Sequence, residues 1–191
     1  MRFSKLVLAS AFAMASGSAL AESFKIDPDH VWITFTINHA GWSEAHGVFH
    51  KVGGSLTIDK AAPAKSAISL EIDANSVDTN SSQRDSDIKT PDFLNVAEFP
   101  SITFKSTKVE PTDDKHAKVT GDLTIAGVTR PVTLSVTFNK EAPLPWDAKT
   151  VKIGFSAAGA ISLADFGQKK ALSFGLGPDL NLSIDLEAVK N

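Results

Sequence analysis

The sequence contains no cysteine, and its charge balance lacks any excess of basic residues. Without cysteine there is no disulfide framework, no thiol chemistry and no cysteine-ligated metal site. The formal net charge is −3, whereas a nucleic-acid-binding protein needs a basic surface to displace counterions. These absences exclude the corresponding function classes, and they leave the apolar core as the only source of stability.

Long hydrophobic runs are also absent, apart from one short apolar stretch near the amino terminus. Residues 1–21 begin with two basic residues, continue with apolar ones and end in Ala-Leu-Ala. The apolar stretch is too short to span a bilayer, and the small residues at its end fit a signal-peptidase site. We therefore expect a signal peptide over 1–21 and one exported domain over 22–191.

Local signatures of catalysis and of metal binding are missing too. There is no G-x-S-x-G nucleophile elbow and no H-E-x-x-H helix. His46 and His50 on one extended strand would lie about 13 Å apart, too far to share a zinc ion, although His39 could still approach His46 across a hairpin. The sequence therefore predicts a protein that is not an enzyme and has no native metal site.

Alternation of apolar and polar residues dominates the rest of the chain. Segments such as VWITFTINH and SAISLEIDA have period two and many β-branched residues, which is typical of strands with one face in the core. IAGVTRP, with Gly127 at its tip, indicates a hairpin. Eight or nine antiparallel strands can close as a barrel or stack as a sandwich. Their length, and a helical insertion at one end, favour an all-β barrel of about eight strands.

One polar segment, residues 76–94, interrupts this alternation. Thr79 or Asn80 is suitably placed to cap a short helix. The helix is followed by a turn that delivers Phe93 and Leu94 as large apolar side chains. Because these side chains must be buried, we expect the segment to cover the open end of the barrel.

The interior of such a barrel could be either filled or hollow. Small barrels usually have filled interiors, but the run from Ser156 to Ala160 contains only small residues and leaves volume unoccupied. A dry apolar cavity would bind an apolar chain, because burial contributes roughly 25 cal/mol per Å² removed from water.

Two central segments carry a family resemblance: SVDTNSSQRDSDIKTPDFLNVAEFPSITFKST and GDLTIAGVTRPVTL. With DHVWITFTINHAG and PDLNLSIDLEAV, they closely resemble the YceI-like family of polyisoprenoid-binding periplasmic proteins. The resemblance implies an extended, lipocalin-like antiparallel barrel with a short helical insertion near its mouth. It also implies a periplasmic location and the binding of long apolar lipids, including isoprenoid quinones, with no established catalytic activity.

From the resemblance and the strand pattern together, we expect an isoprenoid lipid as the ligand, no other cofactor, and sequestration or carriage without chemistry. The residues expected to contact the lipid are Ile33, Phe35, Ile37, His39, Trp42, Arg84, Phe93, Leu94, Ile102, Phe104, Leu134, Val136, Ile153 and Phe155. Trp42 could shield the cavity mouth or pack under its loop, and Arg84 could meet a head group or pair with a neighbouring carboxylate. Asp87 stands where relatives often have histidine, which matters only if that position contacts the head group.

Two other functions and several partners stay open. A lipid-modifying enzyme would need carboxylates or histidines converging in the cavity, and a filled-barrel interaction or stress protein would hold no lipid. Relatives found beside membrane b-type cytochromes suggest transient contact with the inner membrane or with such a cytochrome. No nucleic-acid partner is expected, and the oligomeric state is open, a dimer included.

Overall fold

The computed structural model describes residues 21–191, so the expected signal peptide lies outside the described residues except for its last residue. Ten strands make up most of the structure: β1 (Glu22–His39), β2 (Ser43–Phe49), β3 (Val52–Ile58), β4 (Ala67–Asp73), β5 (Val77–Asp78), β6 (Ser101–Pro111), β7 (His116–Ile125), β8 (Val128–Leu144), β9 (Asp147–Ser162) and β10 (Leu176–Lys190). Two short helices, α1 (Ser82–Ile88) and α2 (Lys169–Ser173), and two single 3₁₀ turns, Pro63–Lys65 and Ala74–Ser76, complete it.

Eight of the strands close into an antiparallel barrel. The order runs β10, β9, β8, β7, β6, β4, β3, β1, and β1 then pairs with β10 to close the ring. Ile33 lies opposite Ile184 in that closing pair. The structure thus confirms the predicted barrel and excludes the sandwich, because a closed ring leaves no free sheet edge between its first and last strands.

Strand β1 is long enough to pair with two different strands along one edge. Its first residues pair with β3, while the stretch from Ile33 to His39 pairs with β2. The change of partner follows a shift in the β1–β10 register between Ile26 and Val31, a stretch that contains a proline with no N–H to donate. Strands β2 and β5 extend outward from this edge.

The predicted hairpin at Gly127 is present between β7 and β8. Ile125 pairs with Val128, and the two residues between them, Ala126 and Gly127, have φ values of 47° and 76°. Positive φ at both central residues gives the turn whose twist matches that of the flanking strands.

Helix α1 forms where the polar interruption predicted one, but its cap is a different residue. Ser81 is the N-cap, and its hydroxyl accepts a hydrogen bond from Arg84 N at 3.4 Å. The predicted caps, Thr79 and Asn80, were wrong because Asn80 has φ 60° and turns the chain before the helix begins, while Thr79 is buried. Asp85, in the first turn of α1, accepts hydrogen bonds from Thr79 N at 2.8 Å and from Thr79 Oγ1 at 2.6 Å. These bonds hold the segment that precedes α1 against the helix.

The barrel has two unlike ends. We call the end formed by the loops at 59–66 and 112–115 and by the β8–β9 turn the open end. The opposite end, covered by residues 74–100 and 163–175, is the lid end. Apolar side chains from the inner faces pack between the two ends, and Phe24 and Ile153 are the largest that are fully buried.

Candidate functional site

A large cavity occupies the half of the barrel nearest the open end. Its volume is about 760 Å³. Most of its wall is apolar and comes from alternating residues of several strands: Leu56, Ile58, Ile68, Val109, Ala117, Val119, Val136, Phe138, Ile153, Phe155, Ala157, Ile184 and Leu186. The open-end cavity is therefore an apolar cavity that opens to solvent, and side chains do not fill this half of the barrel.

Charged residues surround the mouth of the open-end cavity: Asp59, Lys60, Asp113, Asp114, Lys115, His116 and Glu141. The Lys60 ammonium lies 2.8 Å from Glu141 and 2.9 Å from Glu22, and the hydrogen bonds to these carboxylates raise the pKa of Lys60. Asp113 accepts from the Lys115 backbone N–H and from His116, and these bonds lower its pKa. The positive charge of Lys60 is balanced by the two carboxylates beside it. The mouth is therefore rich in hydrogen-bond acceptors and poor in unpaired cations.

A smaller cavity of about 190 Å³ lies at the lid end. Its walls come from β1, β2, β4, β6, β7, β8, β9 and β10 and from the covering segments, and Gln168 is the only polar residue among residues 21–191 that lines it. The Gln168 side-chain amide donates to the Phe93 carbonyl at 3.0 Å. This bond joins the two covering segments, and the lid-end cavity between them and the strands is almost entirely apolar.

The two cavities lie in line, and Ile184 lines both. Along β7 the wall passes from Val119 in one cavity, through Gly121, to Leu123 in the other. A Cβ at Gly121 would lie 2.4 Å from the Phe104 ring. The Phe104 ring can therefore occupy its place in the interior only because residue 121 has no side chain.

Strand β9 repeats this arrangement. Gly159 stands between Ala157, in the open-end cavity, and Ile161, in the lid-end cavity. A Cβ at Gly159 would lie 2.6 Å from the Leu134 side chain. Phe104 and Leu134, which line the lid-end cavity, thus lie at the level where the wall passes from one cavity to the other, and we call this pair the partition.

Two chain segments form the lid. The first supplies Ile88, Phe93 and Leu94, all half-buried, to the wall of the lid-end cavity, which is where the sequence led us to expect residues 76–94, over an end of the barrel. The second, residues 163–176, was not predicted, and it supplies Leu163, Phe166, Ala171 and Leu176. A signal for it exists in the sequence, since Gly167 and Gly175, both with positive φ, bracket the short α2.

Of the predicted site residues, eleven line one of the cavities. Those in the lid-end cavity are Ile33, Phe35, Ile37, Phe93, Leu94, Ile102, Phe104 and Leu134, and those in the open-end cavity are Val136, Ile153 and Phe155. Sequence reasoning missed the charged mouth, because its residues come from separate loops and no local pattern connects them.

The other three predicted residues lie outside both cavities. His39 is exposed at the end of β1, and Trp42 is 86% exposed in the turn that follows, so it neither packs under that turn nor covers a cavity. Arg84 donates to Thr79 Oγ1 at 2.8 Å and to the Thr79 carbonyl at 2.6 Å, which fixes the loop before α1. Asp87 lies exposed on α1, where it accepts from Gln83 at 3.0 Å.

One polar cluster outside the cavities has the composition of a metal site: Asp27, His30 and Glu187. Its centre is taken by the Lys152 ammonium, 2.7 Å from Asp27 and 2.8 Å from Glu187. Burial alone would raise the pKa of Asp27, but the hydrogen bonds from Lys152, from the Asp29 backbone N–H and from His30, with the charge of Lys152, together outweigh it, and the net shift of the pKa is downward. The cluster is therefore an internal ion-pair network that joins β1, β9 and β10.

A closed antiparallel barrel with apolar cavities and a polar mouth defines the class of lipocalin-like binding barrels. The sequence profile of the YceI-like domain matches residues 24–188, and the chain belongs to the YceI-like family. A UPF0312 protein of Pseudomonas putida strain F1 is 39% identical over 185 residues, covering 96% of this chain and 95% of the relative. A second UPF0312 protein, from Enterobacter sp. strain 638, is 39% identical over 180 residues, covering 92% and 90%.

Solved structures share the fold. The Campylobacter jejuni YceI protein superposes with a TM-score of 0.69 at 29% identity, covering 78% of this chain and 86% of that one. Burkholderia cenocepacia BcnA gives a TM-score of 0.74 at 20% identity, covering 85% and 98%. A polyisoprenoid-binding domain from Saccharophagus degradans gives 0.69 at 14% identity, covering 89% and 99%. These findings confirm the family resemblance and the barrel.

Proposed function

We propose that this protein binds a long isoprenoid lipid inside its barrel and carries it through the periplasm without chemical change. The observation that carries the proposal is the pair of in-line apolar cavities that share Ile184. The polyisoprenoid-binding domain of the same fold supports the ligand class. The periplasmic location rests on the expected signal peptide over residues 1–21.

The apolar tail is assigned to the barrel interior. Each methylene group moved from water into such a cavity contributes roughly 0.8 kcal/mol, so a tail of many carbons can offset the cost of being ordered. The tail would first fill the open-end cavity, against Val136, Ile153 and Phe155. A longer tail would turn the Phe104 and Leu134 side chains aside and reach the lid-end cavity.

The polar head is assigned to the charged mouth. Four carboxylates line the open-end cavity there, Asp59, Asp113, Asp114 and Glu141, against the two lysines Lys60 and Lys115. Since Lys60 is held by two carboxylates, a diphosphate head would meet more repulsion than attraction. An uncharged head with hydrogen-bonding groups, such as a quinone, fits this mouth better. The family's association with membrane b-type cytochromes makes the inner membrane or such a cytochrome the proposed exchange partner.

A test of the proposal is native mass spectrometry of protein purified from the periplasm, followed by solvent extraction and lipid analysis. We expect a discrete adduct that extracts as one isoprenoid lipid. Delipidated protein should then take up a quinone with a long isoprenoid tail, and a diphosphate with a tail of the same length should bind more weakly. A mass without adduct, together with no uptake of either lipid, would contradict the proposal and favour a protein that acts through its outer surface.

A further inference from the structure

At the open end, strands β8 and β9 continue past the strands on either side of them. The last β7–β8 pair is His116 with Thr137, and the last β9–β10 pair is Lys152 with Val189. Residues 143–151 therefore pair only with one another, while residues 139–142 pair with β9 and have no partner on β7. We call residues 139–151 the projecting hairpin. Ala142 lies opposite Lys152, the last β9 residue that pairs with β10. At roughly 3.3 Å per residue, the tip at residues 145–146 therefore reaches about 10 Å beyond the β9–β10 wall.

The tip of the projecting hairpin is apolar. It reads Ala-Pro-Leu-Pro-Trp over residues 142–146, where both prolines are exposed and Trp146 is 82% exposed. No partner among the described residues covers the indole, although burial of a tryptophan usually provides a large stabilisation. An exposed tryptophan and two exposed prolines at the tip of a hairpin form an apolar surface, which is typical of a site that binds an apolar partner.

The charges of the projecting hairpin favour an anionic neighbour. Lys140 and Lys149 are exposed and form no ion pair among residues 21–191. Of the two acidic side chains, Glu141 is paired with the Lys60 ammonium at 2.8 Å, whereas Asp147 accepts from Thr150 Oγ1 at 2.5 Å and keeps its negative charge, so the two lysines stand against one uncompensated carboxylate. The arms therefore present two lysines beside an apolar tip.

The base of the projecting hairpin belongs to the mouth of the open-end cavity. Phe138 and Glu141 both line that cavity, and the Lys60–Glu141 ion pair ties the hairpin to the loop on the opposite side of the mouth. Any surface that holds the tip also comes close to the mouth.

We propose that the tip of the projecting hairpin inserts into the interface of a lipid bilayer and brings the open-end cavity to the membrane surface. Tryptophan concentrates at membrane interfaces, where its apolar ring and polar N–H are both satisfied. Each flanking lysine is attracted to anionic head groups by about 1 kcal/mol, but Asp147 and the carboxylates of the mouth oppose this attraction, so the indole supplies the main contribution to docking. This docking goes beyond the proposed function, because it identifies the contact surface whatever lipid the barrel holds.

The barrel has a competing aromatic surface at its lid end. Trp42 is 86% exposed and Phe174 is 62% exposed, and Phe174 stacks on Phe93 with ring centroids 6.4 Å apart. Lys170 near this surface pairs with Asp92. Docking through the lid end would turn the open-end cavity away from the membrane, so an experiment that distinguishes the two ends decides the proposal.

Tryptophan fluorescence can separate the ends, because the chain has three tryptophans and no tyrosine. Trp146 reports on the projecting hairpin, Trp42 on the lid end and Trp32 on the barrel wall. Three single-tryptophan proteins, each with the other two changed to Phe, would be mixed with vesicles of phosphatidylcholine and phosphatidylglycerol carrying brominated acyl chains. We expect a blue shift and quenching for the protein that retains Trp146, and neither change for the other two.

A variant pair provides a second readout that does not depend on fluorescence. In vesicle flotation, Trp146→Ser should lower the bound fraction by roughly tenfold, because the indole supplies most of the apolar area of the tip. Trp42→Ser is the matched control and should bind as the unchanged protein does. Quenching of Trp42 without Trp146, equal loss of binding in both Ser variants, or no vesicle binding by the unchanged protein would each overturn the proposal.

Discussion

Filling the open-end cavity from one position on β9 should separate ligand binding from folding. Ala157 lines this cavity, whereas Ala158, the next residue, is exposed on the outer face of the same strand. We expect Ala157→Phe to weaken lipid binding and to stabilise the delipidated protein. Ala158→Phe, which adds the same ring outside the barrel, should do neither.

The magnitude follows from the volume that the ring would take from the lipid. A phenyl group would displace roughly four methylene groups of the tail, at about 0.8 kcal/mol each. The loss is about 3 kcal/mol, or roughly a hundredfold in Kd. The buried ring would stabilise the empty barrel by roughly 1–2 kcal/mol, which raises Tm by about 2–8 °C for a domain of this size.

The assay is isothermal titration of delipidated protein with an isoprenoid quinone, accompanied by thermal unfolding in the absence of lipid. Lipid must be removed first, because a bound ligand itself stabilises the folded state. The cavity assignment is refuted if Ala157→Phe leaves the Kd unchanged, or if Ala158→Phe weakens binding equally. A fall in Tm for Ala157→Phe would show that the ring cannot be accommodated at this place.

Three further predictions concern the partition, the ion-pair network and the lid. Gly121→Ala should lower the free energy of unfolding by about 1–3 kcal/mol in urea titrations, because its Cβ meets the Phe104 ring, whereas Gly53→Ala faces open space and should change it little. Because the pKa of Asp27 is lowered in the folded state, its carboxylate stabilises the fold above about pH 4, and this contribution is lost as pH falls through the folded-state pKa. The urea midpoint of Asp27→Asn should therefore depend less on pH below about 4 than that of the unchanged protein. Asp122→Asn, a change at an exposed position, is the control and should behave as the unchanged protein. Phe93→Ala should speed quinone release in stopped-flow measurements several-fold while destabilising the fold by less than the 3–5 kcal/mol typical of a core Phe→Ala change, and an unchanged release rate would count against the lid.

Three of the proposed substitutions act at successive places along the barrel interior. A ring at position 157 acts on the open-end cavity, a methyl group at Gly121 acts on the partition, and truncation of Phe93 acts on the lid-end cavity. If one long tail runs through all three, the longest quinones should be the most sensitive to the partition and the lid. Short-tailed quinones should respond mainly to Ala157→Phe.

Much of the strand structure was readable from the sequence, because the period of two is a local property of each segment. The alternation in VWITFTINH placed Val31, Ile33 and Ile37 on one face of a strand, and the structure buries all three. The turn at Gly127 was predictable for the same reason, since two residues between strands require positive φ. The polar interruption at residues 76–94 predicted a helix and a covering turn, although the N-cap of the helix is Ser81.

Other features depend on residues that are far apart in the sequence, so tertiary structure alone decided them. The two partners of β1, the partition made by Phe104 and Leu134, and the second covering segment all arise from how strands are placed side by side. The charged mouth is assembled from loops that follow different strands. Local periodicity determined which side chains share a face of each strand, but the packing of eight strands around one axis determined which faces point inward, where their side chains meet and where they leave space.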